Sequence, residues 1–360
     1  MSRLVPARLY AEATNAPPPC QLGDDLFTLG RNHLEWTLRL GDIFSHTCRS
    51  AGCVTVVAKA TVLASPGEPH NGADVVVKWL WAPKTRKAEA DFVRRARTLA
   101  EKENTNMLNH LPNFLHVEEE VEIDEGIVLR VVVQESLEPL ETLMADELAK
   151  AFKDIFECYR WLVEVARILH RDISVKNLMY RRKDGQICGV LNDFDLSHFM
   201  DDESSPVPAG QRIGTVPYMA RDLLLSNPYP HLPRHDLESL VYVLIFLVCD
   251  RDDPGELVPL RQWKDLDMRK ERLYKYGLLF SGYPGLRPGF NRFDLWIYQL
   301  TRIFRAGMSA CDEVMSYNLW KARGVRVPEQ EPEPVDQETL GGRVTFDTFA
   351  LALSDEPTFF

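Results

Sequence analysis

The feature that most constrains this chain is a set of polar residues at fixed spacing. His170-Arg171-Asp172 is followed by Asn177, five positions beyond the aspartate, and by Asp193-Phe194-Asp195, sixteen beyond the asparagine. Each piece is commonplace singly. A lone His-Arg-Asp is usually a salt-bridged turn, and a lone asparagine at a strand start is usually a side-chain cap. In this order and at these distances they call for a fold that returns Asp193 to Asp172. The sequence around them supplies one. From Ala151 to Leu169, Phe152, Ile155, Phe156, Tyr159, Leu162, Val163, Ala166 and Leu169 fall at helical spacing, which predicts a helix delivering the chain to His170. Leu178-Met179-Tyr180, a polar turn at Asp184-Gly185 and the run Ile187 to Leu191 predict a short hairpin.

The order helix, loop, hairpin, acidic loop resembles the catalytic and metal-binding loops of protein kinases. That resemblance implies that Asp172 orients the hydroxyl attacking a phosphate and that Asn177 and Asp193 hold magnesium. Arg171 joins the catalytic set as the arginine able to pair with a phosphorylated loop; Ser204 and Ser205, in the acidic stretch Asp201 to Ser205, are the candidate phosphosites. The same stretch also reads as an ordinary solvated loop.

Other segments fit the same pattern. Asp74 to Trp79 predicts a strand that carries Lys78 where kinases place the lysine that contacts the α- and β-phosphates. By composition alone Lys78 would be a solvent-facing strand end. The charged stretch Lys84 to Glu103 predicts a helix with Ala88, Phe92, Ala96 and Leu99 as its apolar stripe. Glu89 on that helix is the chosen ion-pair partner of Lys78, with Glu101 as the alternative. Between predicted strands at Ile43–Cys48 and Val54–Val62, the turn Arg49 to Cys53 holds one glycine, Gly52, where a phosphate-covering loop would hold three. Gly52 fits a phosphate cover and an ordinary hairpin turn equally. The β-branched run Val128 to Gln134 predicts a buried strand. The connector after it would meet adenine through the backbones of Glu135 and Leu137.

Downstream, Ile213 to Asp222 resembles the segment that ends a kinase activation loop, with Asp222 at the usual glutamate and Arg221 at the usual proline. Asp236 suits both a brace for the catalytic-loop backbone and a plain helix cap. For the arginine that pairs with the acid at position 222, Arg302 and Arg305 are candidates by their helical setting.

These residues resemble the fungal-type protein kinase-like family. The likeness rests on Ile168 to Ser174 with Asn177, Asp193-Phe194-Asp195-Leu196, Gly214-Thr215 with Pro217-Tyr218-Met219-Ala220, and His235-Asp236-Leu237-Glu238-Ser239-Leu240. Lys78-Trp79 with Glu89 also fits. The resemblance covers about residues 45 to 250. It implies an α+β bilobal fold, with a small β-rich N-lobe holding one regulatory helix and a larger, mainly helical C-lobe. It also implies ATP and Mg2+ as cofactors and serine/threonine phosphorylation as the reaction. Departures stand beside it. Asp195 replaces the glycine of D-F-G, a form the resemblance makes normal for this group. Ser174 stands where serine/threonine kinases carry a lysine, and Lys176 where tyrosine kinases often carry an arginine. Gly214-Thr215 favours serine/threonine, while the catalytic loop leaves the acceptor open.

With 360 residues and 45% hydrophobic content, the chain is long enough for one large bilobal unit or two ordinary domains. The expected organisation is an N-terminal extension over 1–35, an N-lobe over 36–135, a C-lobe over 136–325, and an acidic, proline-containing linker and tail over 326–360. A net charge of −11 argues against a general nucleic-acid partner. Seven scattered cysteines without a C-x-x-C pair read as reduced intracellular thiols, cytoplasmic or nuclear. The run Leu240 to Cys249 is too short to span a bilayer and reads as a buried central helix, so no membrane partner is expected. The expected function is transfer of the ATP γ-phosphate to a hydroxyl of a protein substrate, with no indication of oligomeric state. Two other classes remain open: a pseudokinase scaffold, favoured by the single glycine, Asp195 and Arg221-Asp222, and a kinase-fold phosphotransferase acting on small molecules.

Overall fold

The computed structural model describes residues 26–30, 35–49, 53–124, 126–202, 213–225, 228, 230–252 and 260–356. Gly52, Ser204 and Ser205 lie outside them. The chain divides into two compact units. One holds the described residues up to Arg97 together with Leu111–Leu137; the other holds Thr98–His110 and the described residues from Glu138 onward. The architecture is α+β: a sheet-rich N-terminal unit and a mainly helical C-terminal one.

The N-terminal unit is built on an antiparallel sheet. Its strands are β1 (Leu26–Leu29), β2 (Trp36–Arg49), β3 (Cys53–Ala64), β4 (Asp74–Pro83), β5 (Phe114–Asp124) and β6 (Ile127–Glu135), in the order β1-β2-β3-β4-β6-β5. β4 lies between β3 and β6, which explains why it is buried along nearly its whole length. Strand side chains alternate between faces. Val75, Val77, Trp79 and Trp81 join Val56, Ala58, Val131 and Val133 in the main core of the sheet. Lys78 therefore points to the opposite face, alongside Val76, Leu80 and Ala82.

Helix α1 (Glu89–Glu103) begins at Glu89 rather than at Lys84, and Ala100 replaces Leu99 in the buried stripe of Phe92, Val93 and Ala96. Its last residues and the segment to His110 belong to the helical unit. His110 explains this: its Nδ1 lies 2.8 Å from the Gly189 carbonyl, and its own carbonyl accepts the Leu191 N–H at 3.1 Å.

In the C-terminal unit, the two-residue strand β7 (Glu138–Pro139) precedes helix α2 (Ala145–Trp161), which runs into one π-helical turn, Leu162–Ala166. The helix expected to reach Leu169 stops here because Arg167 takes a left-handed conformation, φ 58°. A two-residue strand β8 (Ile168–Leu169) then leads to His170. Strands β9 (Leu178–Lys183) and β10 (Gln186–Leu191) form the expected hairpin, closed at Asp184-Gly185 with both φ positive, the geometry of a type I′ turn. β10 lies directly on α2 at Gly189, where an added Cβ would sit 2.1 Å from the Ala151 carbonyl oxygen. Beyond the hairpin come the short strand β11 (His198–Phe199), paired with β8, then α3 (Pro233–Val248), α4 (Met268–Ser281), α5 (Phe293–Ala322) and α6 (Phe346–Ala352). Every residue of α3 from Arg234 to Val248 is buried. The tail docks on this unit: Phe349 stacks on Phe156 at 5.0 Å, and Trp296 Nε1 donates to Asp355 at 3.2 Å. Among the described residues, no helix is long and apolar enough to cross a membrane.

Candidate active site

The hairpin register brings the distant polar residues together. Leu178 pairs with Leu191, so the next residues outward, Asn177 and Asn192, face each other, and the Asn192 N–H donates to the Asn177 carbonyl at 2.9 Å. Asp193 is therefore delivered beside Asn177 by strand pairing alone. Asn177 turns its amide Nδ2 toward Asp172, donating to the main-chain oxygen at 2.8 Å and to Oδ2 at 3.3 Å. That orientation leaves the amide oxygen as the atom it offers to a metal. A carboxylate and an amide oxygen form the hard oxygen donor set that suits Mg2+.

The loop is held in a demanding backbone shape. Arg171 has φ 67° and Asp193 has φ 64°. For a side chain as large as arginine this region costs about 1–3 kcal/mol and needs bracing. The bracing is visible. Asp236 Oδ2 accepts the Arg171 N–H at 2.9 Å, and Arg171 Nε donates to the Leu196 carbonyl at 2.7 Å. The other Asp236 oxygen lies 2.7 Å from His231 Nε2. Burial alone would raise the Asp236 pKa. His231, the Arg171 N–H and His170 outweigh it and hold that carboxyl below the usual range. Of the two roles open for Asp236, the loop brace is the one formed. The helix start is served instead by His235, whose Nδ1 accepts the Leu232 N–H at 3.0 Å. His170 sits edge-on to Phe194, ring centres 5.0 Å apart, with Nε2 3.1 Å from the Asn192 carbonyl. Burial keeps its pKa down, against the pull of Asp236, Asp172 and Asp193.

Asp172 is 3% exposed, and its Oδ1 accepts the Thr215 hydroxyl at 2.7 Å. Gly214 permits this approach: its φ is 122°, and an added Cβ would stand 3.0 Å from the Arg171 carbonyl oxygen. Ser174, where a lysine is usual in serine/threonine kinases, is buried, and its carbonyl accepts the Asn177 and Leu178 N–H groups. Lys176 is exposed.

In the N-terminal unit, Lys78 Nζ and Glu89 Oε2 form an ion pair of 2.8 Å, with both side chains buried. The favoured partner Glu89 is thus the one engaged, at the first turn of α1, where an acid suits the helix dipole. The Glu135 N–H is committed to the Asn113 carbonyl at 3.2 Å, and Oε1 of Glu135 accepts the Asn113 N–H at 2.9 Å. The Glu135 N–H is therefore already engaged within the N-terminal unit. Leu137 closes this unit at the edge of the connector.

The partner of Asp222 lies elsewhere than the sequence reading placed it. Arg234 Nη2, at the start of α3, lies 2.9 Å from Asp222 Oδ2. Arg302 and Arg305 lie in the middle of α5, and a helical setting carries no information about a contact between Asp222 and the start of α3. The nearer signal was Arg234-His235-Asp236, an arginine two residues before the loop brace. Glu238 completes the cluster by accepting the Arg221 N–H at 2.8 Å and the Tyr242 hydroxyl at 2.6 Å. Burial, then Asp222, raises the Glu238 pKa.

An aspartate that accepts a hydroxyl, an asparagine that donates to it, and a strained loop braced from a buried helix make up the candidate site. Residues 100–248, from the end of α1 through α3, match the family model described as fungal protein kinase, consistent with the fungal-type protein kinase-like family. No curated protein matches the chain.

Proposed function

We propose that the protein is an ATP- and Mg2+-dependent protein kinase that phosphorylates serine or threonine hydroxyls. The observation that carries this reading is the Asp172 carboxylate, oriented by Asn177 and already accepting a hydroxyl from Thr215 at 2.7 Å. An acceptor hydroxyl would bind the same carboxylate. Its oxygen bonds to the γ-phosphorus, the bond from that phosphorus to the β,γ-bridging oxygen breaks, and ADP leaves. The proton passes to Asp172 and then to solvent. Asn177 and Asp193 would hold Mg2+, which neutralises the triphosphate when bound. Lys78, steadied by Glu89, would hold the α- and β-phosphates. No covalent protein intermediate is needed, so these residues act by position and charge.

The test is transfer from γ-labelled ATP to casein and mixed histones, with Asp172→Asn as control. The expected result is magnesium-dependent incorporation on serine and threonine that falls about 10²–10⁴-fold in the variant, the span of a lost general base. Equal incorporation by both proteins would refute the role of Asp172. Magnesium-dependent ATP binding with no transfer would favour a scaffold.

A further inference from the structure

Lys275 is a fully buried lysine, and its contacts converge on one short segment. It lies on α4, with 0% of its side chain exposed. Its Nζ donates to the Val216 carbonyl at 3.0 Å and to the Met219 carbonyl at 2.5 Å. It pairs with Glu271 Oε1 at 2.8 Å and sits 4.7 Å from the centre of the Tyr242 ring. Around it, Met219, Ala220, Leu223 and Leu224 form a small apolar cluster with Met268 packed against it.

A lysine in such a place is costly, because burying an ammonium group takes it from water. Burial does pull the Lys275 pKa down, and Glu271 and Glu238 oppose that. A methionine would fill the same space without the penalty. What the ammonium adds is a grip on two main-chain oxygens, at either end of the 3-10 turn Val216–Tyr218. The same turn is closed by the Tyr218 and Met219 N–H groups, both donating to the Thr215 carbonyl. Thr215 in turn donates its hydroxyl to Asp172. Lys275 thus acts on the segment that touches the hydroxyl-binding carboxylate, and has no contact with Asn177 or Asp193.

We propose that Lys275 is a positioning residue for the phosphoacceptor: by holding the Val216 and Met219 carbonyls it fixes Gly214 to Met219 against Asp172 and sets where the acceptor chain lies. The inference rests on the kinase reading and deepens it. Lys275 should govern acceptor binding and turnover, not nucleotide binding.

The experiment compares the full chain with Lys275→Met and Lys275→Gln, using casein as the acceptor. Phe349→Ala serves as a control that destabilises the same unit from the far helix α6. For Lys275→Met the acceptor KM should rise about tenfold or more, as expected for losing charge-assisted hydrogen bonds. The Mg-ATP dissociation constant should stay within about twofold, and amide exchange should accelerate selectively over residues 213–225. Lys275→Gln keeps a donor and should fall between wild type and Lys275→Met; it is the variant to read if the methionine protein does not fold. Phe349→Ala should lower the melting temperature and leave the acceptor KM unchanged. The inference is overturned if both Lys275 variants keep the wild-type acceptor KM. It is also overturned if Mg-ATP binding weakens as much as acceptor binding, or if Phe349→Ala raises the acceptor KM equally. A wild-type protein that transfers no phosphate overturns the kinase reading itself, and this inference with it.

Discussion

Replacing Arg234 with methionine tests the buried cluster that closes the segment ending at Asp222. Arg234 is 1% exposed; Nη2 lies 2.9 Å from Asp222 Oδ2, and Nε donates to the Gln337 carbonyl at 2.6 Å. Removing it leaves Asp222, 8% exposed, facing Arg221 Nη2 at 3.6 Å and influencing the buried carboxyl of Glu238. Breaking a buried pair from one side costs about 3–5 kcal/mol. In a unit of this size that lowers the melting temperature by about 6–20 °C. Asp222→Leu alone should cost a similar amount, since it strands Arg234. The double variant Arg234→Met/Asp222→Leu should regain most of the loss, because a buried pair and well-packed apolar residues are often nearly equal in stability. The lost bond to Gln337 is common to the Arg234 single variant and the double variant, so it cancels in the cycle. Urea unfolding of the four proteins measures the coupling, expected at about 2 kcal/mol or more. A coupling below about 0.5 kcal/mol, the level of independent sites, would refute the pair. It would show that Arg234 acts through packing or through Gln337 alone.

Acid should destabilise the helical unit well before its carboxylates titrate. Burial, with Arg234 and His231 adding to it, depresses the His235 pKa far below its ordinary 6.5, and burial also lowers that of His170. Both rings bind protons more readily when unfolded, so their stabilising contribution is present above pH 6.5 and is lost as pH falls below it, by up to about 1.4 kcal/mol per pH unit for each ring. Melting curves between pH 7.5 and 5.5 should show the fall, His235→Gln should flatten part of it, and a pH-independent wild type would contradict it. Gly189→Ala would place a methyl 2.1 Å from the Ala151 carbonyl oxygen, so α2 and β10 must part; overpacking predicts a loss of about 1–3 kcal/mol by urea unfolding. Lys78→Met leaves Glu89 buried without its 2.8 Å partner, so the N-terminal unit should lose about 3–5 kcal/mol and Mg-ATP binding by calorimetry should weaken, with Glu89→Leu in the same chain restoring the stability and not the binding.

The residues legible in the sequence were those whose geometry is set by nearby chain. Asn177 and Asp193 are sixteen residues apart, yet the spacing was readable because a two-residue turn at Asp184-Gly185 fixes the register that joins them. Lys78 and Glu89 were readable because one strand and the first turn of the next helix place them. The backbone capacity of Glu135 was not, since its N–H is taken by Asn113, a contact across the sheet edge that leaves no local pattern. Arg234 is not legible, because its pairing with Asp222 depends on where α3 enters the fold, and no periodicity encodes that. Lys275 was invisible for a related reason. In sequence it sits among Arg269, Lys270, Glu271 and Arg272, where charge reads as a solvated helix face. Only the positions of the Val216 and Met219 carbonyls separate it from its neighbours. Asp172, Asn177 and Asp193 are thus placed by local hydrogen-bond registers. Arg234 and Lys275, which hold the segment from Val216 to Asp222, are placed by packing between helices distant in sequence; under the proposed kinase function, that is where substitutions would retune the acceptor without disturbing Asp172, Asn177 or Asp193.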